Sequence, residues 1–239
     1  MTLASVARAL KAAKVGLLTR TASLKVLACI ASWTVLATLG LHWYHINREL
    51  AETTVLSAYR HSSNYDLRPE GSQINCVVLH ASTQYTLDAT IRVFQYPSSL
   101  VSAHFIVGKE GRVVQAVPLE RRAWHAGTSQ LDEETDVNNF SVGIEMVNLN
   151  DGIDPYPDLQ YEAVARLIFQ LRQLYQIPDE RIVSHAQIAL PLGRKNDPIG
   201  FDFERVRKLL RSLAYGTTSS HNYKDTRFWS APAALAIRF

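Results

Sequence analysis

Three histidines, two carboxylates and a lysine are the residues of this 239-residue chain whose types and settings suit chemistry. His80 and His185 each close a short apolar run, Ile74-Asn75-Cys76-Val77-Val78-Leu79 and Arg181-Ile182-Val183-Ser184. A strand that ends there delivers its imidazole to the rim of a sheet, where loops build sites on a rigid scaffold. His125 lies beside the glycine of Trp124-His125-Ala126-Gly127. Two neutral imidazoles on neighbouring strands make half of a zinc site. A structural zinc then needs a fourth protein ligand, a catalytic one a third ligand and an open position for water. Cys29 and Cys76, the only cysteines, are not placed to complete the set. Asp197 is the best-placed carboxylate. It lies in the turn-forming loop Gly193-Arg194-Lys195-Asn196-Asp197-Pro198, next to a proline that fixes the backbone. Against this stands a plainer reading, in which a lone histidine at a strand end is a hydrogen-bonded structural residue.

Glu145 interrupts the apolar run Val142-Gly143-Ile144-Glu145-Met146-Val147. Burying a polar group without a partner costs on the order of 2–7 kcal/mol, and a charged one more. A buried Glu145 is therefore a candidate general base with a raised pKa, held near a metal-bound water. In the competing reading Glu145 faces solvent on the side of the strand it shares with Gly143 and Val147. Lys195 suits the stabilisation of a developing oxyanion, or else is an ordinary surface lysine.

These residues need a scaffold of strands and helices. Residues 74–80 and 141–147 read as buried strands. Residues 105–107 and 113–117 flank Lys109-Glu110-Gly111-Arg112, a hairpin with glycine at the turn. Leu87, Ile91 and Phe94 recur at helical spacing. Leu159, Ala163, Val164, Leu167, Ile168, Leu171 and Leu174 form a longer helical stripe, with Asp158 as candidate N-cap. Residues 181–185 read as a last strand. Asp202 is placed to cap a final helix whose Phe203, Val206, Leu209, Leu210 and Leu213 share a face. The alternation predicts a single α/β domain over residues 71–215, with a mixed β-sheet flanked by helices. Residues 51–70, polar and aperiodic, read as a linker. Residues 216–239 read as a loosely held tail.

Charge separates the N-terminus from the rest. Residues 1–50 carry six basic side chains and one acid, whereas the remainder has 19 basic and 21 acidic residues. A globular part without basic excess excludes a nucleic-acid partner. From Val26 to Tyr44 there are 19 residues without a formal charge, behind 25 residues with five positive charges and no acid. About 20 apolar residues span a bilayer, and the basic flank retains the N-terminus in the cytoplasm. The alternative is a cleaved signal peptide with Gly40 at the cleavage site. The apolar stretch exceeds the 7–15 residues usual for one, which favours an uncleaved membrane anchor.

Several ordered segments of residues 72–213 together resemble the zinc-dependent N-acetylmuramoyl-L-alanine amidases of the AmpD and AmiD type, related to phage lysozyme-type amidases and peptidoglycan-recognition proteins. They are Val78-Leu79-His80, Ser102–Val107 running into Gly111 and Val117-Pro118, Arg122–Gly127, Asn139–Glu145, Ser184-His185-Ala186 and Arg194–Pro198. The resemblance implies that His80, His185 and Asp197 are ligands of Zn2+. It also implies that Glu145 is the catalytic carboxylate, Lys195 stabilises the tetrahedral intermediate, and His104 and His125 contact substrate. The implied reaction is hydrolysis of the amide between N-acetylmuramic acid and L-alanine in peptidoglycan or muropeptides. The chain departs from the family at Ala81-Ser82 after His80, in a longer loop over residues 187–192, and in Ile199 within Asp197-Pro198-Ile199-Gly200. The alternative is a non-catalytic peptidoglycan-binding module of the same fold. Such modules lack part of the zinc set, which here is complete.

The expected location is the periplasmic side of the inner membrane, anchored by residues 26–44. A reporter enzyme active only in the periplasm, fused after Phe239, is expected to be active. Activity of a cytoplasm-only reporter instead would assign the chain to the cytoplasm.

Overall fold

The computed structural model describes residues 56–219. The strand β3 (Cys76–Ala81) is buried along its whole length between two parallel neighbours, β9 (Ser141–Met146) and the edge strand β10 (Ile182–Ser184). A strand covered on both faces tolerates few polar residues, which is why this one reads as a continuous apolar run up to His80. The sheet extends on the other side through β4 (Phe105–Val107), β5 (Val113–Gln115) and β1 (Leu56–Tyr59), in the order β1-β5-β4-β9-β3-β10. The β4–β5 hairpin is antiparallel and turns at Gly111, whose φ of +80° suits glycine. The other pairings are parallel, so the sheet is mixed as expected. Two small pairs, β2 (Tyr65–Leu67) with β6 (Arg121–Ala123) and β7 (Gln130–Leu131) with β8 (Glu134–Thr135), lie outside it.

Helices cover the sheet. Helix α1 (Leu87–Gln95) starts at Thr86, whose side chain accepts from the Ala89 N–H. Its Leu87, Ile91 and Phe94 pack with Ile106 and Val114 of the sheet. Helix α2 (Asp158–Tyr175) buries Val164, Leu167, Ile168 and Leu171 and packs against α4 (Phe203–Ser219). Pro157, not Asp158, is the N-cap of α2; Asp158 is the first helical residue, where its charge favours the positive end of the helix. Asp202 caps α4 as expected, accepting the Arg205 N–H at 3.0 Å.

Three expectations are corrected. Residues 56–67 are not a linker: β1 extends the main sheet and β2 pairs with β6. An edge strand gains much of its stability from backbone pairing, here continued by Arg60 N–H to Gln115 O and Ser62 N–H to Ala116 O, so it needs no continuous apolar run to form. The last strand stops at Ser184, because Ser184 and Gln187 form a capping box that starts α3 (His185–Ile188). Helix α4 runs on through Ser219, past the expected start of the tail. The apolar stretch 26–44 lies outside the described residues. Among those described, no helix is long and apolar enough to cross a membrane.

Arg68, in the supposed linker, ties the domain together. Its guanidinium donates to the carbonyls of Leu119, Asn138, Asn139 and Ser141 at 2.8–3.1 Å. Burial lowers its pKa to about 10. Arg68→Met keeps an apolar stem but leaves these carbonyls without their donor. The expected loss is at least about 2–3 kcal/mol, the range for buried groups deprived of a charged partner, measured by urea unfolding.

Candidate metal centre

The register of the central strands assembles the site. In the parallel ladder His80 of β3 stands opposite Glu145 of β9, so both side chains leave the same face of the sheet. On that face β9 presents Ser141, Gly143 and Glu145 in alternation. His185 arrives from the next strand as the first residue of α3, at the top of β10. Asp197 is held beside it by its own carbonyl, which accepts the Ala186 N–H at 3.0 Å. One oxygen, Asp197 Oδ2, faces both rings: His185 Nδ1 at 3.1 Å and His80 Nδ1 at 3.4 Å. Each of the three residues offers a ligand atom within 4.8 Å of the others, and all three are buried.

The remaining ring nitrogens decide what this cluster needs. His185 Nε2 faces the Ala126 carbonyl at 3.2 Å, and a carbonyl only accepts, so Nε2 carries the proton. His80 Nε2 lies 3.1 Å from His125 Nδ1. His125 Nε2 lies 3.2 Å from Ser141 Oγ, which itself donates to the Val137 carbonyl at 2.6 Å. A hydroxyl has one proton, so His125 Nε2 donates to Ser141, His125 Nδ1 accepts, and His80 Nε2 donates. In the neutral form that a metal ligand requires, His80 and His185 turn two Nδ1 lone pairs toward a carboxylate oxygen. A cation among them converts that repulsion into coordination, and two imidazoles with one carboxylate form a zinc-type donor set.

Electrostatics agrees with this geometry. Burial brings His80 down to about 4, which favours the neutral ligand form. Burial alone would raise Asp197; the facing His185 and His80 rings hold its carboxyl well below the usual range only as Nδ1–H donors, a stabilisation that a bound cation takes over when both rings are neutral. Burial, then the Asp197 charge, pushes Glu145 up to about 8, opposed by Lys195. Glu145 makes no hydrogen bond or ion pair among the described residues, and its partly covered side chain remains available to a substrate. Lys195 is exposed on the loop that carries Asp197, and its charge reaches both Glu145 and His80. Burial raises the Cys76 thiol to about 12, so it stays protonated within the core.

The two expected substrate contacts, His104 and His125, are both buried. His104 is 0% exposed; its Nδ1 accepts the Gly143 N–H at 3.0 Å and its Nε2 lies 3.0 Å from the Arg121 carbonyl. Both nitrogens face backbone, and Nε2 also lies 3.0 Å from Arg68 Nη2, so His104 braces β9. His125 lies beneath the site, with its nitrogens on His80 and Ser141. The residues that sequence reasoning passed over are Ser141, Gly143 and Asn138. Asn138 Oδ1 accepts the N–H groups of His125 and Ala126, at 3.1 and 2.8 Å. Nothing local marks these residues, because their partners lie far off in the chain.

Residues 70–200 match the profile of the N-acetylmuramoyl-L-alanine amidase family, Amidase_2. The chain belongs to this family. It is 32% identical over 169 residues to the 1,6-anhydro-N-acetylmuramyl-L-alanine amidase AmpD of Escherichia coli, covering 62% of this chain and 89% of that one. It is 35% identical over 113 residues to N-acetylmuramoyl-L-alanine amidase AmiD of the same organism, covering 41% and 40%. Among solved structures it resembles a crystal structure of AmpD, with TM-score 0.58, 29% identity, and 64% and 93% of the two chains covered. It also resembles the E. coli AmiD complex with anhydro-N-acetylmuramic acid-L-Ala-D-gamma-Glu-L-Lys, with TM-score 0.52, 28% identity and 59% and 60% covered. The mixed sheet and flanking helices are thus those of the amidase family, and the match spans all three clustered residues.

The raised Glu145 carboxyl has a consequence for the metal-free protein. Between the ordinary glutamate value of 4.5 and the folded value of about 8, the unfolded chain releases a proton that the folded chain keeps. Stability therefore falls as pH rises through that window, and levels off above it. Glu145→Gln removes the ionisation. In the presence of a chelator, its stability advantage over wild type is expected to grow from about pH 5 to about pH 8, read from urea midpoints. A pH-independent difference would show that the carboxylate is solvated.

Proposed function

We propose that the chain is a zinc-dependent amidase that hydrolyses the bond between N-acetylmuramic acid and L-alanine in peptidoglycan or muropeptides. The observation that carries this reading is the convergence of His80, His185 and Asp197, with Glu145 in register beside His80. The family match and the AmiD neighbour bound to an anhydro-muropeptide support the substrate class. His80 and His185 would hold zinc through Nδ1, and Asp197 through its carboxylate. Zinc bound there supplies Lewis acidity, polarising the scissile carbonyl and bringing the pKa of water to about 7.

The chain's own groups supply the rest. Glu145 accepts a proton from the attacking water as the new C–O bond forms, then returns it to the alanine nitrogen as the C–N bond breaks. The burial that raises its carboxyl suits a group that must both take and give a proton near neutral pH. Lys195 places a positive charge where negative charge develops on the carbonyl oxygen. A non-catalytic binding module would need neither Glu145 nor Lys195 in these positions. We further place the catalytic domain outside the cytoplasm, held by the basic and then apolar segment that ends at Tyr44. That placement rests on the charge asymmetry of the N-terminus.

The test is mass spectrometry of the products from defined muropeptides, with and without a chelator. Wild type is expected to release L-alanine-terminated peptides, and the chelator to stop it. Glu145→Gln is expected to keep fold and zinc while turnover falls by about 10²–10⁴, in kcat and kcat/KM alike. Lys195→Ala is expected to lose about 10²–10³, as for one oxyanion donor. Near wild-type turnover by Glu145→Gln would refute the mechanism.

A further inference from the structure

We propose that His125 is a positioning residue for the metal: with Ser141 it fixes the tautomer of His80, and Gly143 is the gap in β9 that admits its ring. The proposal rests on the zinc reading of the site.

The chain of hydrogen bonds has one internally consistent direction. It ends on the Val137 carbonyl, which can only accept the Ser141 hydroxyl proton at 2.6 Å. Working back, Ser141 Oγ accepts from His125 Nε2 at 3.2 Å, and His125 Nδ1 accepts from His80 Nε2 at 3.1 Å. His80 is thereby left with a free lone pair on Nδ1, the nitrogen that faces Asp197. A metal-binding imidazole commonly donates its other N–H to a carboxylate, carbonyl or water, which orients the ring and raises its basicity. Here a second imidazole takes that part.

The ring of His125 can stand there because of Gly143. A Cβ at position 143 would lie 2.5 Å from His125 Cγ and 2.6 Å from Cδ2, closer than such atoms approach. Nor can the ring retreat. It packs edge-on against His80 and His104, with centroids 5.1 and 5.7 Å away. Its backbone N–H is held by Asn138 Oδ1. The alternating residues of β9 thus divide the work: Ser141 accepts from His125, Gly143 makes room for it, and Glu145 faces the substrate. The next residue completes the pattern, since the Ala126 carbonyl fixes His185 as His125 fixes His80. One two-residue segment thus sets the tautomers of both histidine ligands.

The test measures zinc affinity by competition with a chelating indicator, and the absorption spectrum of the cobalt-substituted protein, in the full chain. His125→Leu removes the acceptor for His80 Nε2–H. It is expected to raise the zinc Kd about 10- to 100-fold, the usual cost of losing a metal ligand's hydrogen-bond partner, and to shift the cobalt bands. Gly143→Ala is expected to do the same by displacing the ring. His125→Asn places an amide oxygen close to where Nδ1 stood, and is expected to restore affinity to near wild type. Should His125→Leu fail to fold, Ser141→Ala decides. Long-range nitrogen–proton NMR is expected to show His125 as the Nε2–H tautomer in wild type and a mixture of tautomers in Ser141→Ala. The proposal is overturned if His125→Leu binds zinc within twofold of wild type with an unchanged cobalt spectrum, or if the His125 tautomer does not respond to Ser141→Ala. Failure of the wild-type protein itself to take up zinc would overturn the metal reading instead, a result distinct from either.

Discussion

A neutral imidazole has a single proton, and on both His80 and His185 that proton is committed to the nitrogen turned away from Asp197. Two lone pairs and a carboxylate oxygen are thereby forced to face one another in a buried place. Left alone, such an arrangement is repulsive. A divalent cation makes it attractive, and the surrounding structure is organised to keep the three groups converged. The rings are aimed by the 125–126 segment, and that segment by Asn138. Asn138 is in turn held by Arg68, which binds its carbonyl along with three others.

The cost of this arrangement is spread through the core. Four histidines, His80, His104, His125 and His185, are buried together, and burial lowers the pKa of His80, His104 and His125. Neutral rings avoid charge repulsion; His104 and His125 find partners at both nitrogens, and His80 and His185 keep one nitrogen each toward Asp197. Glu145 is the exception. It is a carboxyl with no partner among the described residues, raised by burial and by Asp197, at the mouth of the cluster. Polar groups left unsatisfied at the edge of an otherwise satisfied network are where chemistry is expected, because the missing partner is the substrate.

The sheet provides the rigidity that this chemistry requires. His80 and Glu145 are neighbours in a parallel ladder buried on both sides, so their separation is set by backbone hydrogen bonds rather than by loop conformation. Asp197 and Lys195 come instead from a loop, and Asp197 is tied to the start of α3 through the Ala186 N–H. The additional Ile199 in that loop leaves Asp197 against both histidines. The Ile199 N–H is taken by the Asn150 side chain at 2.7 Å, which anchors the following turn.

Much of this was legible in the residues themselves. The apolar run ending in His80, the carboxylate inside Val142–Val147, the hairpin glycine Gly111 and the stripe of α2 each have local physical causes, namely burial on two faces, side-chain period and positive φ. The order of the motifs sufficed to suggest the metal triad and the base. The edge strand β1 was not legible, since its stability comes from pairing with β5 and not from its own composition. Nor were the places of His104 and His125. A histidine near a glycine-rich loop reads the same whether it faces water or the underside of a metal site. Only the tertiary structure, by bringing Ser141, Gly143 and Asn138 against residues 125–126, decides which nitrogen bears each proton and so which one is left for the metal. Hydrogen-bond direction depends on contacts between segments distant in the chain, and a single sequence carries no local trace of them.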